Sequence, residues 1–319
     1  MKMLKCVVLA AAAAVVGAPV HAADYPSRNI DLVVPFNPGG AVDTTSRMAA
    51  ETAKKFLNGI EIKIINKDGG GGVVGQTFAA RAKPDGYTML AITNSAVSSP
   101  LLKGAPFKIT DFTAVGLYTI DPEVIAVPDT SPFKTITDFM TAAKKRKLNI
   151  VSSGAGTSHH MAGLAIELGA KVEFTYVFSR GFGEELQAML GGHVDGALWP
   201  FGIAKQQVAG GGTRILAVAS DEAMPGFESV PTWEKSGLGV PAWQTFRGWA
   251  VPKGTPQEIV TFLSDLLKKV TAEPDYRAKM DKAGFPVVYR NAEGFAKTIA
   301  EEDALTRRIM KEKGLTLKK

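Results

Sequence analysis

The sequence predicts an α/β protein of two lobes enclosing a cleft, on three observations. Short apolar strands alternate with helix-like stretches from end to end, the pattern of parallel sheets covered by helices. Roughly 300 residues follow an N-terminal leader, more than one ordinary core holds. Two strand-like segments, residues 118–128 and 247–256, read as crossings between lobes. The expected division is a leader at 1–22, a discontinuous first lobe from 23–121 plus 247–319, and a second lobe from 122–246.

The leader comes first. Met1-Lys2-Met3-Leu4-Lys5 is a short basic start, residues 6–20 are almost wholly apolar, and Val20-His21-Ala22 offers an A-x-A-like cleavage site. The mature chain should begin near Ala23, in the periplasm. The apolar run is shorter than the ~20 residues that span a bilayer, so no membrane-embedded segment is expected. Cys6 is the only cysteine, and it leaves with the leader. Disulfides, cysteine nucleophiles and thiolate metal sites are thereby excluded. Lys2 and Lys5 also leave, so the formal charge of +6 falls to a mild excess of four. The basic residues are scattered apart from Lys144-Lys145-Arg146-Lys147 and the C-terminal tail, so nucleic-acid binding is not expected.

Strands are predicted at residues 30–35, 61–66, 88–93, 115–118, 124–127, 149–152, 174–177, 196–198, 215–219 and 248–251. Helices fill the intervals at 44–56, 74–82, 136–145, 160–168, 184–190, 203–209, 256–271, 274–283 and 292–313. Local signals support several. Thr135 or Thr137 can open the helix at Ile136, Thr255 precedes Pro256 at a first helical position, and Gly284 can end the helix before it.

The most informative stretch is Val33-Val34-Pro35-Phe36-Asn37-Pro38-Gly39-Gly40-Ala41-Val42-Asp43-Thr44. An apolar strand runs into a glycine pair and then a helix start, which presents bare backbone N–H groups to an anion. Pro38, Gly39 and Gly40 are therefore candidate ligand contacts. Asp43 either caps the helix or accepts a hydrogen bond from a ligand. Phe36 and Trp199, at strand ends, either line the cleft or pack in the core.

A second strand-to-helix turn, Ser152-Ser153-Gly154-Ala155-Gly156-Thr157-Ser158-His159-His160, offers hydroxyls and backbone amides to a carboxylate. Ser153, Gly154, Thr157 and His160 are candidates there, against the plain reading of a capped helix. His159 and His160 would point about 100° apart on a helix, so no shared metal is expected. A serine nucleophile is not expected either, since no G-x-S-x-G elbow surrounds it. Gly70-x-Gly72-x-x-Gly75 formally matches a dinucleotide fingerprint, but Asn94 and Ser95 stand where the ribose-binding acid should be. Both join the candidate cleft residues, and no cofactor is expected.

These motifs in this order resemble the substrate-binding proteins of tripartite tricarboxylate transporters, the TctC-like or Bug family. The residues that carry the resemblance are Tyr25-Pro26, Pro35-Phe36-x-Pro38-Gly39-Gly40-x-x-Asp43, Asn66-x-x-Gly69, Lys83-Pro84-Asp85-Gly86-Tyr87-Thr88, Ser153-Gly154-x-Gly156-Thr157-x-x-His160, Leu190-Gly191-Gly192-His193-Val194-Asp195 and Pro252-x-Gly254-Thr255-Pro256. The resemblance implies a type II-like periplasmic binding protein fold that closes on a small organic acid, without catalysis. It also implies a monomer that hands its solute to the membrane subunits of a permease. One segment departs from the family's usual Pro-Tyr-Lys-Gly: Phe178-Ser179-Arg180-Gly181-Phe182-Gly183. Arg180 could there pair with a second carboxylate, with Gly181 beside it, or simply be exposed. Two other readings stay open: a sensor presenting the same kind of solute to a signalling partner, and an exported hydrolase.

Overall fold

The computed structural model describes residues 25–240, 243–315 and 318. The expected leader at 1–22, with Cys6 and the expected cleavage site near Ala22, lies outside the described residues.

The first lobe begins with three parallel strands, β1 (Ile30–Val34), β2 (Ile62–Asn66) and β3 (Thr88–Thr93). Helices α1 (Ala41–Ala53) and α2 (Val73–Ala80) lie between them, and α3 (Ser95–Lys103) follows β3. Beyond β3 the pairing turns antiparallel. A 17-residue strand, β4 (Phe112–Pro128), pairs with β9 (Gln244–Pro252), which also pairs with β3. The short β10 (Val287–Arg290) adds to the other side of β4.

The second half of β4 belongs to another arrangement. From Glu123 onward it pairs with β7 (Gly196–Pro200) and with β8 (Thr213–Val218), both antiparallel. The parallel strands β5 (Leu148–Ser152) and β6 (Phe174–Phe178) complete that side. Its helices are α4 (Ile136–Ala143), α5 (Ser158–Ala170), α6 (Phe182–Leu190) and α7 (Phe201–Ala209). The chain closes with α8 (Gln257–Ala272), α9 (Pro274–Lys282) and α10 (Ala292–Glu312). The expected two-lobed α/β architecture is present, but the sheet is mixed rather than parallel.

Three further differences from the sequence reading have local causes. The two strands expected on either side of Asp121-Pro122 are one. Pro122 lacks an N–H, yet it sits where β4 changes partner from β9 to β7 and β8, so no ladder donor is required of it. Helix α3 was missed because Ser98, Ser99 and Pro100 read as a loop; Pro100 lies inside the helix, and Gly104 at φ 66° ends it. The four-residue β10 is too short to show periodicity.

Each half buries its own apolar faces. Leu32, Val34, Trp249, Leu263 and Tyr276 share one cluster, and Phe139, Ile150, Met161, Leu198 and Trp233 another. The end of α10 crosses between them: Ile309 and Met310 pack into the second cluster, and Lys313 Nζ lies 2.7 Å from Glu167 Oε2 on α5. Among the described residues no helix is long and apolar enough to cross a membrane.

Candidate functional site

The cleft is lined by the starts of four helices. Gly40, Ala41 and Val42 open α1, Thr157, Ser158 and His159 open α5, Gly181 and Phe182 open α6, and Pro200 precedes α7. The first N–H groups of a helix have no intrahelical partner and carry the positive end of its dipole. Four such ends around an empty space of about 640 Å3, open mouth included, make a site for an anion.

Local chemistry places each turn. Gly39 at φ 85° takes a left-handed turn that a side chain would resist, which sets Gly40 as the N-cap of α1. Thr157 caps α5: its hydroxyl donates to Gly154 O at 2.9 Å and accepts from His160 N at 3.5 Å. The lobes touch around this space. Asn37 Nδ2 donates to Arg180 O at 2.9 Å, and Ser98 Oγ donates to the Gly156 carbonyl.

Charged groups stand in the wall and directly behind it. Glu185, on α6, accepts from Trp199 Nε1 at 2.6 Å, from Ser179 Oγ at 3.0 Å and from Ser153 Oγ. On β4, Glu123 accepts from Ser158 Oγ at 3.1 Å and from Thr245 Oγ1, and holds His159 Nδ1 at 2.8 Å. Two residues earlier, Asp121 Oδ2 lies 3.2 Å from Arg247 Nη1, and its Oδ1 accepts from Gly202 N at 3.3 Å. Burial opposes the ionised forms of Asp121, Glu123 and His159, and the partners decide the outcome. Burial pushes Asp121 up to about 6, Arg247 opposing and Glu123 adding to the rise. Glu123 resists its burial and is held below the usual value because His159, Thr245 and Ser158 face it. His159, nearly buried, is pushed down by its desolvation but raised overall by the Glu123 charge and hydrogen bond. Arg247 Nε is buried without a partner among the described residues.

The sequence candidates divide. Phe36, Gly40, Ser153, Thr157, Gly181 and Trp199 line the cleft. Pro38, Gly39, Asp43, Asn94, Ser95, Gly154, His160 and Arg180 stand outside its wall. Asp43 is no N-cap: it is the third helical residue, and its carboxylate turns back to Gly39 N at 3.0 Å while binding Arg47 and Asn66. Asn94 and Ser95 are buried and bonded to other protein groups, Asn94 to the β9 backbone at Gln244 and Phe246 and Ser95 to Gln76. His160 turns its ring edge-on to Tyr176 and Phe178, and its Nδ1 accepts from Gly156 N. Burial lowers it to about 4. Arg180 has an 87% exposed side chain beside Glu184.

Sequence reasoning missed His159, Glu185, Thr245 and Arg247. A signal existed for the last. Arg247 interrupts Phe246-Arg247-Gly248-Trp249-Ala250-Val251, and a lone charge in an apolar strand is the informative exception.

Asp43 supplies a stability test. Burial pushes its pKa up, but Arg47, the Gly39 N–H and Asn66 outweigh it, so the carboxyl titrates below its ordinary 3.8. A lowered carboxyl contributes stability above its unfolded value and loses it as pH falls through the folded one. Asp43→Asn should therefore cost about 1–2 kcal/mol at pH 7. In urea melts the deficit should vanish in acid below pH 3.8; an unchanged deficit there would assign the loss to packing.

The pattern of the family described as "Tripartite tricarboxylate transporter family receptor" matches residues 45–315. The chain is 33% identical over 266 residues to the UPF0065 protein in the tcbD-tcbE intergenic region of Pseudomonas sp. (strain P51), covering 82% of this chain and 79% of that one. Among solved structures, the periplasmic binding protein BugD superposes with a TM-score of 0.84 at 27% identity, covering 92% of this chain and 99% of that one. MatC from Rhodopseudomonas palustris with bound malate does so with a TM-score of 0.84 at 28% identity, covering 89% and 99%. A two-lobed α/β fold, helix starts gathered on one cleft and this likeness over most of the chain agree: the protein belongs to the tripartite tricarboxylate transporter receptor family, the TctC or Bug family of periplasmic solute-binding proteins.

Proposed function

We propose that the protein is a non-catalytic periplasmic receptor that holds a small carboxylate-bearing solute in the interlobe cleft and delivers it to the membrane subunits of a tripartite permease. The observation that carries this reading is the convergence of four helix starts and the buried Arg247 on one cleft. Malate in MatC supports it, because that relative shares the fold and holds a carboxylate. The leader supports export, and the division at residues 121–122 and 246–247 would give the hinge about which the lobes close. A ligand gripped from both lobes favours the closed state by its differential affinity.

Thermal unfolding of the mature chain, refolded to strip retained solute, tests this against mono-, di- and tricarboxylic, amino and aromatic acids. Ligand at about 100 times its dissociation constant adds about 2.7 kcal/mol, a rise of roughly 5 °C. A rise with one acid class supports the receptor. No rise with any carboxylate, while a family member responds in parallel, overturns it.

A further inference from the structure

The cleft holds more charge than a site built from backbone amides needs. Arg247 is a cation 1% exposed, His159 a near-buried imidazole, and Asp121, Glu123 and Glu185 are three buried carboxylates. They form one cluster: His159, Glu185 and Arg247 line the same cleft, Glu123 holds His159 Nδ1 at 2.8 Å and Asp121 lies 3.2 Å from Arg247 Nη1.

The five side chains occupy two ranks. Arg247 and His159 front the cleft, whereas Asp121 and Glu123 stand behind them and form no part of its wall. Both rear carboxylates come from one strand, two residues apart, and so share a face of β4. Each commits one side of its cation: Asp121 takes Arg247 Nη1, and Glu123 takes His159 Nδ1. Among the described residues Arg247 Nε is buried without a partner, and Glu123 engages only the Nδ1 side of His159, which leaves the other imidazole nitrogen for a ligand. A carboxylate is the natural acceptor for a guanidinium edge and an imidazolium.

Glu185 has the opposite character. It lines the cleft itself. Ser153, Ser179 and Trp199 occupy three of the roughly four acceptor directions of a carboxylate, leaving one for a donor. A second ligand carboxylate placed there would meet a like charge away from water.

We propose that this cluster selects a small monocarboxylic acid that also carries a hydrogen-bond donor, its carboxylate on Arg247 and His159 and its donor on Glu185. The inference rests on the receptor reading above and narrows it. It also moves the specificity from Arg180, which is outside the cleft, to Arg247 and Glu185.

Titration calorimetry with a four-carbon series tests it: butyrate, 2- and 4-hydroxybutyrate, 2- and 4-aminobutyrate, and succinate. At least one donor-bearing monocarboxylate should bind roughly ten- to hundredfold tighter than both butyrate and succinate. Glu185→Gln should erase most of that preference. Arg247→Lys, which keeps the charge but loses the guanidinium edge, should weaken every acid by about tenfold. Because removing Arg247 alone strands Asp121, the double variant Asp121→Asn/Arg247→Gln provides a form without an uncompensated buried charge, and it too should lose the carboxylates. Succinate binding tightest, a preference unchanged in Glu185→Gln, or full affinity in the double variant would each overturn the inference while leaving the receptor intact. Failure of every acid in the series to bind the unaltered protein would overturn this inference, and the thermal panel alone then decides the receptor reading.

Discussion

Replacing Glu123 with alanine is expected to destabilise the protein by about 3–5 kcal/mol, the cost of breaking a buried ion pair from one side. The side chain is fully buried where β4 passes from one half of the molecule to the other, and it gathers groups from two separate segments. Ser158 and His159 come from α5 and Thr245 from β9, and the Glu123 backbone bonds to Trp243 and Ala219. Alanine would leave the His159 ring and the Ser158 hydroxyl without their acceptor, while Thr245 keeps only Ser158 Oγ, at 2.7 Å. The pH dependence identifies the pair. A lowered carboxyl contributes above its unfolded value, 4.5, and loses that contribution as pH falls through its folded value. A raised imidazole contributes fully below its unfolded value, 6.5, and loses it as pH rises through its folded value. The deficit in urea melts should therefore peak between pH 4.5 and 6.5 and shrink on both sides. A loss under about 1 kcal/mol at pH 5.5 would mean that water replaces the carboxylate at little cost.

Gly248→Ala should cost about 3 kcal/mol or more, although the new side chain is a single methyl. Gly248 lies in the middle of β9 with Leu117 of β4 opposite it. Its backbone needs no special conformation. The obstacle is space: a β-carbon there would collide with the ring of Phe295 and come within 2.5 Å of the Gly116 carbonyl oxygen. Phe295 is fully buried on α10 and packs edge-to-face on Phe246 with centroids 5.4 Å apart. The ring has nowhere to swing, and moving the carbonyl means moving the long shared strand. Thermal melts of Gly248→Ala and of Gly248→Ala/Phe295→Leu separate the two obstacles. Partial recovery in the double variant assigns the clash to the ring; no recovery assigns it to the β4 backbone. A single variant within about 0.5 kcal/mol of the parent would contradict the packing described here.

Most elements were legible because their signals are local. The apolar run gives β1, Pro35 with no N–H for a ladder follows its last residue, and the left-handed turn at Gly39 sets up the start of α1. The hydroxyl at Thr157 caps α5 through its own neighbours. Where local and tertiary signals disagreed, the tertiary one prevailed. Asp43 has a good capping side chain, but Gly40 took that position and Asp43 was drawn to Arg47 and Asn66. Pro100 marks a break in sequence terms, yet α3 runs through it, with Val97 and Leu101 buried on the core side.

By itself the sequence determined most of the alternating strands and helices, though not α3, β10 or the unbroken β4, together with the glycine turns that end in helix starts and the presence of two lobes. Those depend on backbone torsions and short-range periodicity, which neighbouring residues set. Only the tertiary structure decided which charges face the cleft. Asp121 and Arg247 are 126 positions apart, Glu123 and Thr245 122, and Ser153 and Glu185 32. Their meeting depends on the register of β4 against β9 and on how α6 packs beside β5. A one-residue slip in that register would turn Arg247 to the opposite face, because side chains alternate along a strand.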